Sequence, residues 1–157
     1  MKNLLKNKRG FTLIELLIVI GILGILLAIV LIAVNPQENF RQANNTQRKA
    51  DVNTIVNAIA QYSSQNKGQL PAGITSTAQT ITSTTGIGNI DLCTALVPTY
   101  VADLPLDPTT GSETPSGSLC TDASATYDTG YTIQSSAGNR ITVSAPAAEG
   151  EVISVSR

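Results

Sequence analysis

One carboxylate stands at the head of an oily run. Glu15 follows Phe11-Thr12-Leu13-Ile14, and the next 19 residues, Leu16 to Val34, carry no polar side chain. Inside a membrane helix an ionised carboxylate costs about 2.5–3.5 kcal/mol on insertion scales, and acids kept at that cost are usually functional. The chemistry open to Glu15 is pairing with a cation brought to it. The plainer reading is an acid near enough to the interface to stay hydrated. Cys93 and Cys120 offer a second chemistry. An even pair in an exported segment reads as one disulfide, closing a loop of about 28 residues and stabilising the fold by on the order of 3 kcal/mol. Two free thiols in a cytoplasmic chain are the alternative.

What is missing narrows the function. The 157 residues include no histidine, the commonest general base and metal ligand. Neither a G-x-S-x-G pattern nor a phosphate loop occurs, so an enzyme is disfavoured. The formal net charge of −1 hides an asymmetry: Lys2, Lys6, Lys8 and Arg9 supply four of the ten cations ahead of the oily run. The remainder carries six basic and eleven acidic side chains, a balance of −5. That acidic remainder shows no footprint for nucleic acid.

These residues need elements to hold them. Nineteen residues at about 1.5 Å each span roughly 28 Å, close to the bilayer core, and within a bilayer only a helix satisfies every backbone amide of one segment. The basic flank precedes the run, so the positive-inside rule places residues 1–10 in the cytoplasm and the remainder outside. A secretory signal peptide has a shorter apolar core and a small-residue cleavage site. Here Asn35-Pro36-Gln37-Glu38 follows instead. Pro36 ends or kinks the helix. Beyond it Val52, Ile55, Val56, Ile59 and Tyr62 recur at helical spacing, with Phe40 and Ala43 extending the stripe backward. Arg41, Arg48, Lys49 and Asp51 fall on the other positions. Lys67-Gly68 and then Pro71 form the stop signal. A helix from Phe11 to Asn66 would be roughly 80 Å long, too long for a compact domain of this size.

The polar remainder has few aromatics and buries a modest core. Ile74 to Gly88 is Thr- and Ser-rich and reads as an extended loop. Asp91 to Val97 reads as a short helix with Asp91 as a cap. Tyr131–Gln134, Arg140–Ser144 and Glu151–Ser156 alternate as strands, with Ala137-Gly138-Asn139 as a hairpin connection between the first two. The expected class is α+β: a long N-terminal helix, membrane-spanning then amphipathic, packed on an antiparallel sheet of about three strands. The divisions are a basic leader (1–10), an apolar helix (11–36), an amphipathic helix (37–67) and a loop-rich region with the sheet and one disulfide (68–157).

The junction Lys8-Arg9-Gly10-Phe11-Thr12-Leu13-Ile14-Glu15 resembles the processing site of type IV prepilins and of type II secretion pseudopilins. The family pattern is a short basic leader ending in glycine, then phenylalanine, then glutamate as the fifth residue of the mature chain. Gly10, Phe11 and Glu15 match all three. The resemblance implies a pilin fold, cleavage between Gly10 and Phe11 by a membrane-bound aspartic prepilin peptidase, and N-methylation of the new Phe11 amine. It also implies that Glu15 pairs with that amine on a neighbouring copy, within a filament built by inner-membrane assembly machinery. Membrane lipid surrounds the helix before assembly. Family members often melt a stretch of this helix between a glycine and a later proline. Gly24 and Pro36 are the corresponding candidates, although Ile32 occupies the usual proline position.

Residues 103–131 resemble the C-terminal region of the major pseudopilins, where a Leu-Pro-x-Asp-Pro stretch precedes a glycine and tyrosines and the loop binds calcium. Leu104-Pro105-Leu106-Asp107-Pro108 is present, followed by Gly111, Tyr127, Gly130 and Tyr131. The resemblance makes Asp103, Asp107, Asp122 and Asp128 candidate oxygen ligands for calcium. Solvated loop acids with no cofactor are the plainer reading, with the cysteine pair as the staple.

The functional expectation is a structural subunit of a type IV pilus-like extracellular filament, serving adhesion, motility or DNA uptake. A pseudopilin of a type II secretion system shares the same assembly chemistry. A monomeric membrane-anchored surface binding domain is the alternative from another class.

Overall fold

The computed structural model describes residues 10–117, 120–122 and 124–157. The leader cations Lys2, Lys6, Lys8 and Arg9 lie outside the described residues. The chain divides into two units, Met1–Phe40 and Arg41–Arg157.

The first unit holds helix α1, Leu13–Val34, and the first residues of helix α2, Pro36–Gln65. The leucines, isoleucines and valines of α1 from Leu13 to Ile32 are all more than half exposed. The span Leu13–Ala33 is long and apolar enough to cross a membrane. The helix runs through Gly21 and Gly24 without interruption. It stops at Asn35, which takes left-handed φ and ψ of 41° and 75°. Asparagine tolerates that region better than other non-glycine residues. Pro36 then opens α2 at the first helical position, where its missing N–H costs nothing.

The second unit packs the remainder of α2 on a six-stranded sheet. Its strands are β1 (Gln79–Thr82), β2 (Asn89–Ile90), β3 (Ser112–Thr114), β4 (Thr126–Ser136), β5 (Arg140–Ala145) and β6 (Ile153–Ser156). A short helix α3, Cys93–Leu96, lies between β2 and β3. The order across the sheet is β2-β1-β4-β5-β6, with β3 pairing on β4. Neighbours are antiparallel except the β1–β2 pair. The α+β class and the C-terminal meander stand as read, but the expected three strands are the last three of six. The Thr/Ser-rich stretch read as a loop contains β1. Its single large apolar residue, Ile81, is fully buried, and its register comes from β4 (Thr80 opposite Thr132), a partner some fifty residues downstream that local pattern does not reveal.

Alternation along β4 buries Tyr127, Thr129, Tyr131 and Ile133. Ile141, Val143 and Ala145 of β5 and Ile153 of β6 join that face. From α2 it receives Val52, Ile55, Val56, Ala58 and Ile59, as the helical stripe predicts. Each such aliphatic side chain, fully buried, contributes about 1.5–3 kcal/mol. The backward extension of the stripe is corrected: Phe40 is 69% exposed and Ala43 is exposed. The buried face continues instead through Arg48 and Asn45. Arg48, placed on the outer face by its charge, has no exposed surface.

The turn signals behave as read. Lys67 and Gly68 take positive φ of 56° and 82°, and the Gly68 N–H donates to the Ser63 carbonyl at 2.8 Å, closing α2. Gly138 and Asn139 both have positive φ in the β4–β5 connection. Asp91 is not the cap residue of α3, which is Leu92, yet its Oδ1 accepts the Cys93 N–H at 2.8 Å.

Candidate processing and assembly site

Gly10, Phe11 and Thr12 are non-helical, and α1 begins directly after them. Gly10 is exposed and Phe11 is 90% exposed. Among the described residues nothing lies within 4 Å of where a Cβ on Gly10 would stand. Nothing among the described residues therefore demands glycine there. The Gly10–Phe11 bond sits in an open, non-helical segment, the form a protease subsite takes up most easily.

Thr12 has extended φ and ψ of −79° and 154° and caps α1. Its Oγ1 accepts the Glu15 N–H at 3.3 Å. Glu15 reaches back: one carboxylate oxygen accepts the Thr12 N–H at 2.7 Å and the Thr12 hydroxyl at 2.8 Å. This reciprocal capping box satisfies donors that the first turn leaves without helical partners. Glu15 is thus held at the mouth of the oily helix, on the backbone N–H of the residue that follows Phe11. Sequence reasoning missed the part Thr12 plays. The signal was there, since T-x-x-E ahead of an apolar run is a capping box.

The second unit carries a buried polar cluster that sequence reasoning also missed. Arg48 Nε donates to Asp107 Oδ2 at 2.7 Å and Nη2 to Asp107 Oδ1 at 3.2 Å. Arg48 also donates to Thr109 Oγ1 at 2.6 Å and Asn45 Oδ1 at 3.0 Å. Asp107 Oδ1 accepts the N–H groups of Thr109 and Thr110 at 2.8 and 2.9 Å. Burial alone would raise the Asp107 pKa, but Arg48 and the Thr109 and Thr110 donors outweigh it and hold the carboxyl well below the usual range. The pairing in turn raises the Arg48 pKa. Gly130, with φ of 76°, lies against the Asp107 side chain and the Thr110 hydroxyl, leaving no room for a Cβ.

The four acids named as calcium candidates are placed separately. Asp107 faces Arg48. Asp128 accepts the Gly130 N–H at 2.9 Å, Asp122 accepts Ser124 N–H and hydroxyl at 2.8 and 2.7 Å, and Asp103 accepts the Leu104 N–H at 2.9 Å. Among the described residues no three acidic, cysteine or histidine side chains gather as a metal set. Cys93 and Cys120 are joined in a disulfide with Cα atoms 5.2 Å apart.

Residues 5–31 match the family model described as the prokaryotic N-terminal methylation motif. No curated protein and no solved structure matches the chain significantly. The motif and the apolar helix that follows it support a type IV prepilin-like protein, and the α+β architecture is consistent with a pilin fold.

Proposed function

We propose that the chain is the precursor of a structural subunit of a type IV pilus-like filament. A prepilin peptidase cuts between Gly10 and Phe11, the Phe11 amine is N-methylated, and the mature chain polymerises through α1. Before assembly α1 anchors the chain in the cytoplasmic membrane with its leader on the cytoplasmic side. After assembly the second unit is displayed outside the cell.

One observation carries this reading most strongly. The capping box that holds Glu15 begins one residue after Phe11, at the head of a helix whose large aliphatic side chains are exposed. Cleavage would create a cation on Phe11 beside a carboxylate that otherwise only caps. In an apolar filament core each carboxylate needs a cation, and a misaligned copy would leave a buried charge unpaired, at a cost of about 3–5 kcal/mol. Pairing with the amine of a neighbouring copy would therefore set axial register. The part played by the chain is structural rather than catalytic.

The test is the N-terminal residue of protein recovered from the cell surface, read by mass spectrometry. Methylated Phe11 is expected. Surface fibres of normal yield that still carry residues 1–10 would overturn the reading. Gly10→Ala or a bulkier residue should block cleavage while leaving the second unit folded.

A further inference from the structure

Two sets of charges in the second unit lie at opposite ends of β4. Where β4 turns into β5, three exposed cations stand together. Lys67 precedes Gly68, whose carbonyl accepts Asn139 Nδ2 at 3.0 Å. Arg140 follows Asn139 and opens β5. Arg157 exchanges both backbone hydrogen bonds with Ile141, at 2.8 and 2.9 Å, and its guanidinium reaches Asn57 Oδ1 at 2.9 Å. A cleft of about 320 Å³ with Ile59, Leu70 and Ile141 in its walls opens beside them. Among the described residues Lys67, Arg140 and Arg157 form no ion pair. The other cations of this unit are engaged: Arg48 with Asp107, Lys49 with Glu151, and Arg41 with the Glu149 carbonyl.

The opposite end of β4 carries acids. Asp91 and Asp122 line one cavity beside the disulfide. Asp128 lines the adjoining groove, and Glu113 sits in β3 opposite Tyr127. β4 runs 11 residues from Thr126 to Ser136, so the two ends lie roughly 30 Å apart.

We propose that these ends dock on each other between copies: the Lys67–Arg140–Arg157 end of one chain receives the Asp91–Glu113–Asp122–Asp128 end of the next. This rests on the filament reading and names its second contact. A polar filament repeats one contact in one direction, so each interface joins two different patches of the same chain. Opposite charges at opposite ends meet that requirement, whereas a two-fold pair would set like ends together. A carboxylate at a chain end beside Arg157 would offset one of the three cations and leave the sign unchanged. Complementary ends steer copies together and fix register more than they add affinity. The contact weakens with salt, because exposed charges are screened within about 8 Å at physiological ionic strength.

The experiment uses the full chain in cells that assemble it, with sheared-filament yield and its dependence on salt as readouts. Lys67→Glu with Arg140→Glu should lower the yield about tenfold by setting acid against acid. Glu113→Lys with Asp122→Lys should lower it less, by removing attraction. Adding the second pair to the first should recover yield several-fold. Independent surface damage would instead make the fourfold variant the worst of the three. Disulfide formation and a thermal transition near that of the wild type show that each variant has folded. Wild-type yield from the first variant, salt-indifferent filaments, or a fourfold variant worse than the first overturns the proposal while leaving the filament reading standing. Should the wild-type chain form no filaments, that reading fails, and the docking is then read by sedimentation of the detergent-solubilised full chain. Salt-sensitive self-association lost on Lys67→Glu with Arg140→Glu supports it; association that the reversal leaves intact, or none at all, overturns it.

Discussion

The guanidinium of Arg48 and the carboxylate of Asp107 meet at 2.7 Å with neither side chain exposed to solvent. Arg48 comes from the stripe of α2 that packs on the sheet, and Asp107 from the loop before β3, fixed by its N–H donating to the Thr129 carbonyl at 2.8 Å. The pair ties helix, loop and sheet at one point. Removing one partner leaves the other buried as an uncompensated charge. Arg48→Met should therefore cost about 3–5 kcal/mol, read by denaturant unfolding. Adding Asp107→Leu should restore part of it, though the Thr109 and Thr110 N–H groups then lose their acceptor. Full stability in the single variant would show that the pair contributes nothing.

Acid should act through the same pair. The Asp107 carboxyl is held well below its ordinary 3.8. Its contribution is complete above that value and is lost as pH falls toward the depressed one. Asp51 has the opposite sign. Burial raises its pKa against the hydrogen bond from the Tyr131 hydroxyl, so its contribution is present below 3.8 and is lost as pH rises through the raised value. The Asp107 displacement is the larger, so stability should fall between pH 4 and 2, and Arg48→Met should flatten that fall. At the alkaline end Tyr127 and Tyr131 are raised above 10, by burial first and then by bonds to Asp91 and Asp51. Their contribution holds below pH 10 and is lost above it, so their ionisation, followed by absorbance, should coincide with unfolding.

How much of this was legible differs between the two units. The first is written in local signals: a glycine-phenylalanine junction, one acid, an oily run, a proline. Each acts within a few residues, so pattern suffices. In the second unit the helical period found Val52, Ile55, Val56 and Ile59, all buried, but passed over Arg48 in favour of the exposed Ala43 and Phe40, because a period test counts apolar residues. Arg48 is buried through Asp107, 59 positions away, a relation with no local trace. β1, β2 and β3 failed for the same reason. They are 4, 2 and 3 residues long and form because β4, or β1 in turn, offers a ladder. The disulfide was legible, since two cysteines allow one pairing.

The disulfide staples that loop region. It closes a span of 27 positions holding α3, the Asp107 turn and β3. Loop entropy then gives about 3 kcal/mol. Cys93→Ser with Cys120→Ser, measured beside reduced wild type, should lower stability by that amount. Cys93 is buried and the segment leads into the Arg48–Asp107 pair, so if the staple positions Asp107 the combined loss with Arg48→Met should be smaller than the simple sum, because the same interaction cannot be lost twice. Simple additivity would separate the two devices.

Glu15 has two duties that one substitution can separate. In the chain by itself it caps α1, accepting the Thr12 N–H and hydroxyl. In the proposed filament it also supplies a negative charge to an amine. Glutamine suits the third position of a capping box as well as glutamate does, and an amide oxygen accepts the same two donors. It carries no charge. Glu15→Gln should therefore keep the cap, be cleaved after Gly10, and fail in assembly nearly as badly as Glu15→Ala. Thr12→Val should do the reverse. It removes a cap contributing about 1 kcal/mol, leaves the charge, and should assemble at reduced yield. If Glu15→Gln gave filaments at wild-type yield while Thr12→Val gave none, the carboxylate would matter only as a cap, and register would have to come from elsewhere on the chain.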